Sequence, residues 1–291
     1  MPELPEVETV RRGLEPSLSD TKIIRAKQNR ADLRFPFPEN FVSRLGGRKI
    51  IGLGRRAKYL LIHLDKDETI ISHLGMSGSW RIENDTIGSY YHDKPKCAAH
   101  DHFEMDIETS EGEVLHVVYN DPRRFGFMLL VKTNDLACHK LLANLGPEPT
   151  GNSLSGAYLN EVLRGKKAPL KAALLDQSII AGLGNIYVCE SLWRSHLSPK
   201  RLSSTLGAKT ASAREKSDIL ARNIRDVIDD AIKSGGSSLR DYMHTDGSLG
   251  YFQHHFSVYD REGEPCPECG KPISRIVQSG RSSFYCTRCQ K

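Results

Sequence analysis

The chain opens Met1-Pro2-Glu3-Leu4-Pro5-Glu6-Val7-Glu8, which sets an unusual nucleophile beside three carboxylates. An initiator methionine is normally trimmed when a small residue follows, so the mature chain is expected to begin at Pro2, with a secondary α-amine. An α-amine of pKa near 8 is neutral in roughly a quarter of molecules at pH 7.5, against about 0.1 % for a lysine near 10.4. Only the neutral amine attacks an electrophilic carbon, so the terminus suits covalent catalysis better than a lysine does. The carboxylates also have a structural explanation, because the positive end of a helix favours acids.

The second chemical signal is Cys266-x-x-Cys269 followed, after sixteen residues, by Cys286-x-x-Cys289. Each close pair can give two thiolates to one tetrahedral zinc, and a site closed by four thiolates leaves no open position, so the metal is expected to be structural. Cys97, Cys138 and Cys189 are isolated and read as ordinary thiols. Between the pairs, Pro272–Val277 and Ser282–Tyr285 read as strands joined by Gln278-Ser279-Gly280-Arg281, which puts the Arg281 guanidinium at a hairpin tip, where it suits a phosphate.

Three further stretches present cations or apolar groups on turns. Asp121-Pro122-Arg123-Arg124-Phe125-Gly126 lies between two strand patterns, and Met76 lies on Leu74-Gly75-Met76-Ser77-Gly78. In a nucleic-acid protein such apolar tips wedge into a base stack; without that context both are core residues. Gly54-Arg55-Arg56-Ala57-Lys58 sets three cations before an apolar strand. Gly182-Leu183-Gly184-Asn185 leads into a helix, where free N–H groups grip an anion or Asn185 serves as the cap. His92, His100 and His102 are scattered through a polar segment and read as surface or hydrogen-bonded histidines.

The elements that must position these groups change character along the chain. Leu4, Val7, Val10 and Leu14 form one helical stripe, with Pro16 expected to stop the helix. From 21 to 131 short β-type runs recur at Lys22–Lys27, Lys49–Leu53, Tyr59–Leu64, Thr69–Leu74, Val114–Tyr119 and Gly126–Val131, the signature of a sandwich or barrel. Residues 83–100 read as a surface loop. After 133 helices are expected at Leu136–Leu145, Gly156–Leu163, Leu170–Asp176, Asn185–Arg194 and from about Ala208 to Lys233. Ser234 to Gly250 reads as a loop able to close over a ligand, or as a linker.

The 291 residues, 38 % of them apolar, are enough for two domains and a small appended module. Lys and Arg outnumber Asp and Glu by thirteen to seven in residues 1–60 (+6) and by twenty to fourteen in 151–291 (+6), whereas 61–150 hold eight against fifteen (−7). Two basic ends facing one another would make a channel for a phosphate backbone. No run of about 18 apolar residues offers a membrane span, and the acidic N-terminus is unlike a signal peptide, so a cytoplasmic location is expected.

Taken in order, PELPEVETVRRGL, GRRAKYL, HLGMSG, NDPRRFG, LLDQSIIAGLGNIY and the four-cysteine finger closely resemble the bacterial formamidopyrimidine-DNA glycosylases. The resemblance covers essentially the whole chain. It implies an α+β fold: an N-terminal β-sandwich with a leading helix (1–132), a helical helix-two-turn-helix DNA-binding domain (133–253) and a β-hairpin zinc finger (254–291). It further implies excision of oxidised purines from duplex DNA and strand cleavage, by a monomer associated with the bacterial nucleoid. Pro2 is then the Schiff-base nucleophile, Glu3 the main proton donor, Glu6 a supporting carboxylate and Lys58 an essential cation. Arg281 is counted with both the catalytic and the DNA-binding groups. The DNA-contacting set adds His92, Lys171 and Asn185, with Met76, Arg123 and Phe125 filling the void left by a flipped base. The chain departs from the family at Ala172, where proline is common, and in the length of the 83–100 loop. Two other readings compete: a zinc-dependent module that binds DNA or RNA without catalysis, and a sister glycosylase for oxidised pyrimidines.

Overall fold

The computed structural model describes residues 2–83, 97–237 and 251–291. His92, most of the 83–100 loop and most of the Ser234–Gly250 segment therefore fall outside the described residues. The chain divides into two compact units, Met1–Ala143 with Gly235–Tyr251, and Asn144–Ser234 with Phe252–Lys291.

The first unit begins with helix α1 (Leu4–Leu18), which buries Leu4, Val7, Val10, Leu14 and Leu18. Pro16, expected to end this helix, lies inside its last turn. A proline that late removes a single intrahelical bond, and the helix runs on until Ser19 N–H closes onto Glu15 O. The sheet follows as β1 (Thr21–Gln28), β2 (Lys49–Arg56), β3 (Tyr59–Leu64), β4 (Glu68–His73), β5 (Ser79–Glu83), β6 (Asp101–Glu108), β7 (Val114–Asn120) and β8 (Phe127–Lys132), with the short helix α2 (Phe41–Leu45) between β1 and β2.

All pairings are antiparallel, in the order β5-β7-β6-β1-β2-β3-β4-β8. At the centre β1 and β2 share only Thr21↔Ile50 and Lys22↔Lys49, and both strands shift register just beyond, at Ile23/Arg25 and Ile50/Gly52. Those irregularities let the sheet bend into the two layers of a sandwich. One apolar core draws Ile23, Trp80 and Phe103 from one half, Ile62 and Ile70 from the other, and Val10 from α1. Strands β5 and β6, absent from the expected runs, nonetheless alternate: Trp80, Phe103, Met105 and Ile107 face the core, while Arg81, Glu104 and Asp106 lie on the opposite face.

The second unit is helical: α3 (Gly156–Val162), α4 (Leu170–Leu174), α5 (Asn185–Arg194) and α6 (Ala211–Lys233), with α3 and α5 packed on α6. The helix expected over Leu136–Leu145 is absent; a 3-10 turn at Thr133–Cys138 takes its place, followed by ordinary turns. The segment is rich in apolar residues, but of these only Leu142 is buried, so a helical face here has nothing to pack against. The hairpin β9 (Ser274–Gln278) and β10 (Arg281–Tyr285) pairs Arg281 with Gln278, leaving Ser279-Gly280, both at positive φ, as a two-residue turn.

Candidate active site and metal centre

The start of α1 is locked by reciprocal bonds between its two acidic residues. Glu3, in extended conformation, is the N-cap, and its side chain takes the N–H of Glu6 while the Glu6 carboxylate returns to the Glu3 N–H, Oε2 at 2.7 Å. This is a capping box built from two glutamates. Pro2 and Glu3 are buried, Glu3 only 4 % exposed. The second oxygen of Glu6, Oε1, accepts the N–H of Ser237 at 2.8 Å and its hydroxyl at 3.0 Å. Gly236 turns at φ +78°, and a Cβ there would meet Glu6 Oε1 at 3.1 Å, so glycine is needed for both backbone and space.

Lys58 occupies the two-residue turn between β2 and β3, behind Ala57 at φ 51°, a left-handed conformation that costs alanine on the order of 1 kcal/mol. Arg55 holds that turn by donating to Ala57 O at 3.0 Å, and its Nε donates to Glu8 Oε2 at 3.1 Å. Glu8 also pairs with Arg11 and Arg12. Burial opposes the charged form of Glu8, but the bonds from Arg11 and Arg12, with the charge of Arg55, prevail and hold it at about 2. Glu8 is thus a girder between the helix that carries Pro2 and the turn that carries Lys58.

The charge of Lys58 is felt by His73. Burial, reinforced by Lys58 and Arg34, depresses this imidazole to about 4, so it is neutral at pH 7. Its Nδ1 accepts Gly75 N–H at 2.9 Å, and its ring stacks on Phe127 with centroids 5.2 Å apart. Gly75 opens the turn that presents Met76, which is half-buried. Arg123 and Phe125 stand exposed on the neighbouring turn, the guanidinium 5.2 Å from the ring centroid, and Phe125 is 45 % exposed. Phe125 is therefore not the core residue that composition alone suggests. His102 is buried and bonds Asp121 O at 2.9 Å, in line with the hydrogen-bonded reading of that residue.

In the second unit Lys171 has no exposed surface: its ammonium meets Ser282 O at 2.8 Å and Ser283 Oγ at 2.7 Å. The lysine expected at the DNA thus braces the finger hairpin. Asn185 is the first residue of α5, not its cap, which is Gly184. Its Nδ2 donates to Ser282 O at 3.0 Å, so both residues hold the same strand. Arg281 is exposed at the start of β10, beside the tip and not within the turn.

The cysteines meet as the spacing requires. The four sulfurs lie within 4.8 Å of one another, with Cys266 to Cys289 at 3.9 Å and Cys269 to Cys286 at 3.5 Å. A tetrahedron of bonds of about 2.3 Å has edges of roughly 3.8 Å, so the set fits one structural zinc. Cys286 N–H donates to Gln290 Oε1 at 2.8 Å, and Gln290 Nε2 reaches Leu197 O at 2.9 Å, which ties the last knuckle to the helical unit. Sequence reasoning missed Ser237, His73, Ser77 and Asp121. Ser237, Ser77 and Asp121 sit in segments whose composition reads as solvent-facing, and His73 ends strand β4; only the folded contacts of each reveal its work.

Comparison with known proteins agrees with this geometry. Residues 1–128 match the formamidopyrimidine-DNA glycosylase N-terminal domain, 145–243 the formamidopyrimidine-DNA glycosylase H2TH domain and 263–291 a zinc finger found in FPG and IleRS. The formamidopyrimidine-DNA glycosylases of Bartonella tribocorum and Rhizobium etli are 66 % and 59 % identical, each aligned over 100 % of both chains. Among solved structures, the Lactococcus lactis Fpg in complex with an abasic site containing DNA superposes with a TM-score of 0.84 at 34 % identity over 100 % of both chains. The MutM (FPG) protein of Thermus thermophilus gives 0.82 at 37 % over 99 % of this chain and 98 % of that one. With its three parts matched in order and full-length relatives at such identity, this chain belongs to the formamidopyrimidine-DNA glycosylase family.

Proposed function

We propose that the chain excises oxidised purines, 8-oxoguanine and formamidopyrimidines, from duplex DNA and then cuts the strand at the abasic site. The observation that carries this reading is the buried Glu3–Glu6 capping box, which fixes Glu3 beside the amine of Pro2. Once Met1 is removed, the Pro2 nitrogen gives its lone pair to deoxyribose C1′ and the bond to the damaged base breaks. Glu3 protonates the sugar ring oxygen as the ring opens. A secondary amine bonded this way becomes an iminium with no neutral imine form, so it withdraws electrons from C2′. Loss of the C2′ proton expels the 3′ phosphate, and a second elimination expels the 5′ phosphate. Lys58, on the turn braced through Arg55 to the same helix, supplies a cation near this centre.

The target C1′ is out of reach inside a duplex, and extruding the nucleotide costs a few kcal/mol. Met76, Arg123 and Phe125 offset this by filling the gap, a role supported by the exposure of Phe125. Asn185 and Arg281 contact the backbone, and His92 is assigned to the same surface. Lys171, being buried, contributes through the finger it holds. The zinc keeps the β9–β10 hairpin rigid. We further propose the division into a catalytic domain (1–132), a helical DNA-binding domain (133–253) and a finger (254–291), acting as a cytoplasmic, nucleoid-associated monomer. Among the described residues no helix is long and apolar enough to cross a membrane.

Borohydride reduction during reaction with 8-oxoguanine paired with cytosine tests the mechanism. A covalent adduct on Pro2 is expected, absent in Pro2→Gly and in protein that retains Met1. Nicking without a trappable adduct would remove Pro2 from the mechanism, and tight binding with no cleavage would favour the non-catalytic module. Faster excision of an oxidised pyrimidine than of 8-oxoguanine would favour the sister activity.

A further inference from the structure

The turns that carry Met76 and Phe125 are joined underneath by one carboxylate. Asp121 is fully buried, at 0 % exposure. Its Oδ1 accepts the Ser77 hydroxyl at 2.6 Å, and its Oδ2 accepts the Gly126 N–H at 2.8 Å. The Ser77 oxygen, its hydrogen given to Asp121, accepts the Arg123 N–H at 3.2 Å. One side chain from each turn therefore bonds the backbone or hydroxyl of the other. There is also no slack between them: a Cβ on Gly75 would lie 2.3 Å from the nitrogen of Gly126. Beneath both, the Tyr119 hydroxyl fills the space that a Cβ on Gly78 or Gly126 would need, at 2.4 and 1.8 Å.

A buried carboxylate is stable only while its hydrogen bonds are kept. Displacing either turn alone would strip Asp121 of at least one donor and separate Ser77 from Arg123. The low-energy motion is one in which both turns move together.

We propose that Ser77 and Asp121 are positioning residues that make the turns 74–78 and 121–126 a single rigid wedge, so that Met76, Arg123 and Phe125 enter the base stack as one body. This rests on the reading that these three residues fill the gap left by an extruded nucleotide. Neither Ser77 nor Asp121 needs to touch DNA. Their effect is on the insertion step, not on the chemistry at C1′.

The test uses full-length enzyme and a lesion duplex carrying 2-aminopurine beside the damaged base, followed by stopped-flow fluorescence. Ser77→Ala loses two of the bonds that join the turns, and the fluorescence step and duplex excision are expected to slow together by about tenfold, the scale of one charge-assisted hydrogen bond. Asp121→Asn is expected to act in the same direction, and Ser77→Ala decides alone should Asp121→Asn not fold. Borohydride trapping on single-stranded abasic DNA, which has no stack to fill, should stay within about twofold of wild type. Met76→Ala and Phe125→Ala are the controls for the wedge itself. If they slow the fluorescence step and Ser77→Ala does not, the coupling is overturned while the wedge stands. If neither control slows it, the wedge reading fails and takes the coupling with it. Equal loss by Ser77→Ala on single-stranded and duplex substrates would overturn the proposal by placing the pair in the chemistry.

Discussion

Glu6 and Ser237, more than two hundred residues apart, share one carboxylate oxygen: Glu6 Oε1 accepts both the N–H and the hydroxyl of Ser237, while Oε2 accepts the N–H of Glu3. A single side chain thus spans the gap between the peptide that follows Pro2 and the Gly236-Ser237 turn. Ser237→Ala removes one donor to a charged acceptor, worth about 1.5 kcal/mol, and is expected to slow adduct formation by about tenfold if that energy is lost from the transition state. Gly236→Ala is expected to be worse, since it forces a side chain to positive φ against Glu6. Single-turnover trapping at saturating DNA measures both, and unchanged rates would show that the Ser237 link does not position the nucleophile.

The Glu8–Arg55 link predicts an acid-sensitive brace. Because the Glu8 carboxyl is held at about 2 against an ordinary 4.5, its contribution to stability is complete above about pH 4.5 and is lost as pH falls towards 2. Glu8→Gln should lower the melting temperature at pH 7 by about 2–4 °C, corresponding to roughly 1 kcal/mol after solvent screening. That difference should shrink steadily below pH 4.5. A gap between variant and wild type that stays constant down to pH 2.5 would contradict the role given to the ionised carboxylate.

His73 titrates in the opposite sense from a histidine that gains an acidic partner. Its folded pKa, about 4, lies below the unfolded value of about 6.5, so the unfolded chain binds the proton first and stability falls as pH drops from 6.5 towards 4. In nuclear magnetic resonance spectra the His73 ring should remain neutral at pH 5. A titration near 6.5 would mean that the ring is not enclosed between Phe127 and the Lys58 turn.

The metal-binding part of this protein and its proposed nucleophile are legible because their chemistry depends on order along the chain. Pro2-Glu3 and the two Cys-x-x-Cys pairs are contiguous signals, and so are strands such as β3, whose expected and observed bounds are both Tyr59–Leu64. What escaped depends on distant pairing. Asp121 reads as a turn acid until Ser77, forty-four residues earlier, is brought to it. That the Lys171 ammonium bonds Ser282 and Ser283, more than a hundred residues later, is likewise invisible along the chain. The helix expected over Leu136–Leu145 failed for the converse reason, since apolar residues without a surface to cover do not hold a helix.

Lys171 and Arg281 should separate cleanly by their response to salt. Arg281 is exposed at the finger hairpin and, if it neutralises one phosphate, Arg281→Ala should lower the slope of log affinity against log salt by about one. Lys171 is buried and bonded to Ser282 and Ser283, so Lys171→Met should leave that slope unchanged. Its cost falls on the hairpin: the Ser282 carbonyl and Ser283 hydroxyl lose a charged donor, and release of zinc to a chelator should accelerate several-fold as β10 frays. A slope that drops by one in Lys171→Met, with zinc release unaltered, would move this lysine out of the brace and onto the DNA.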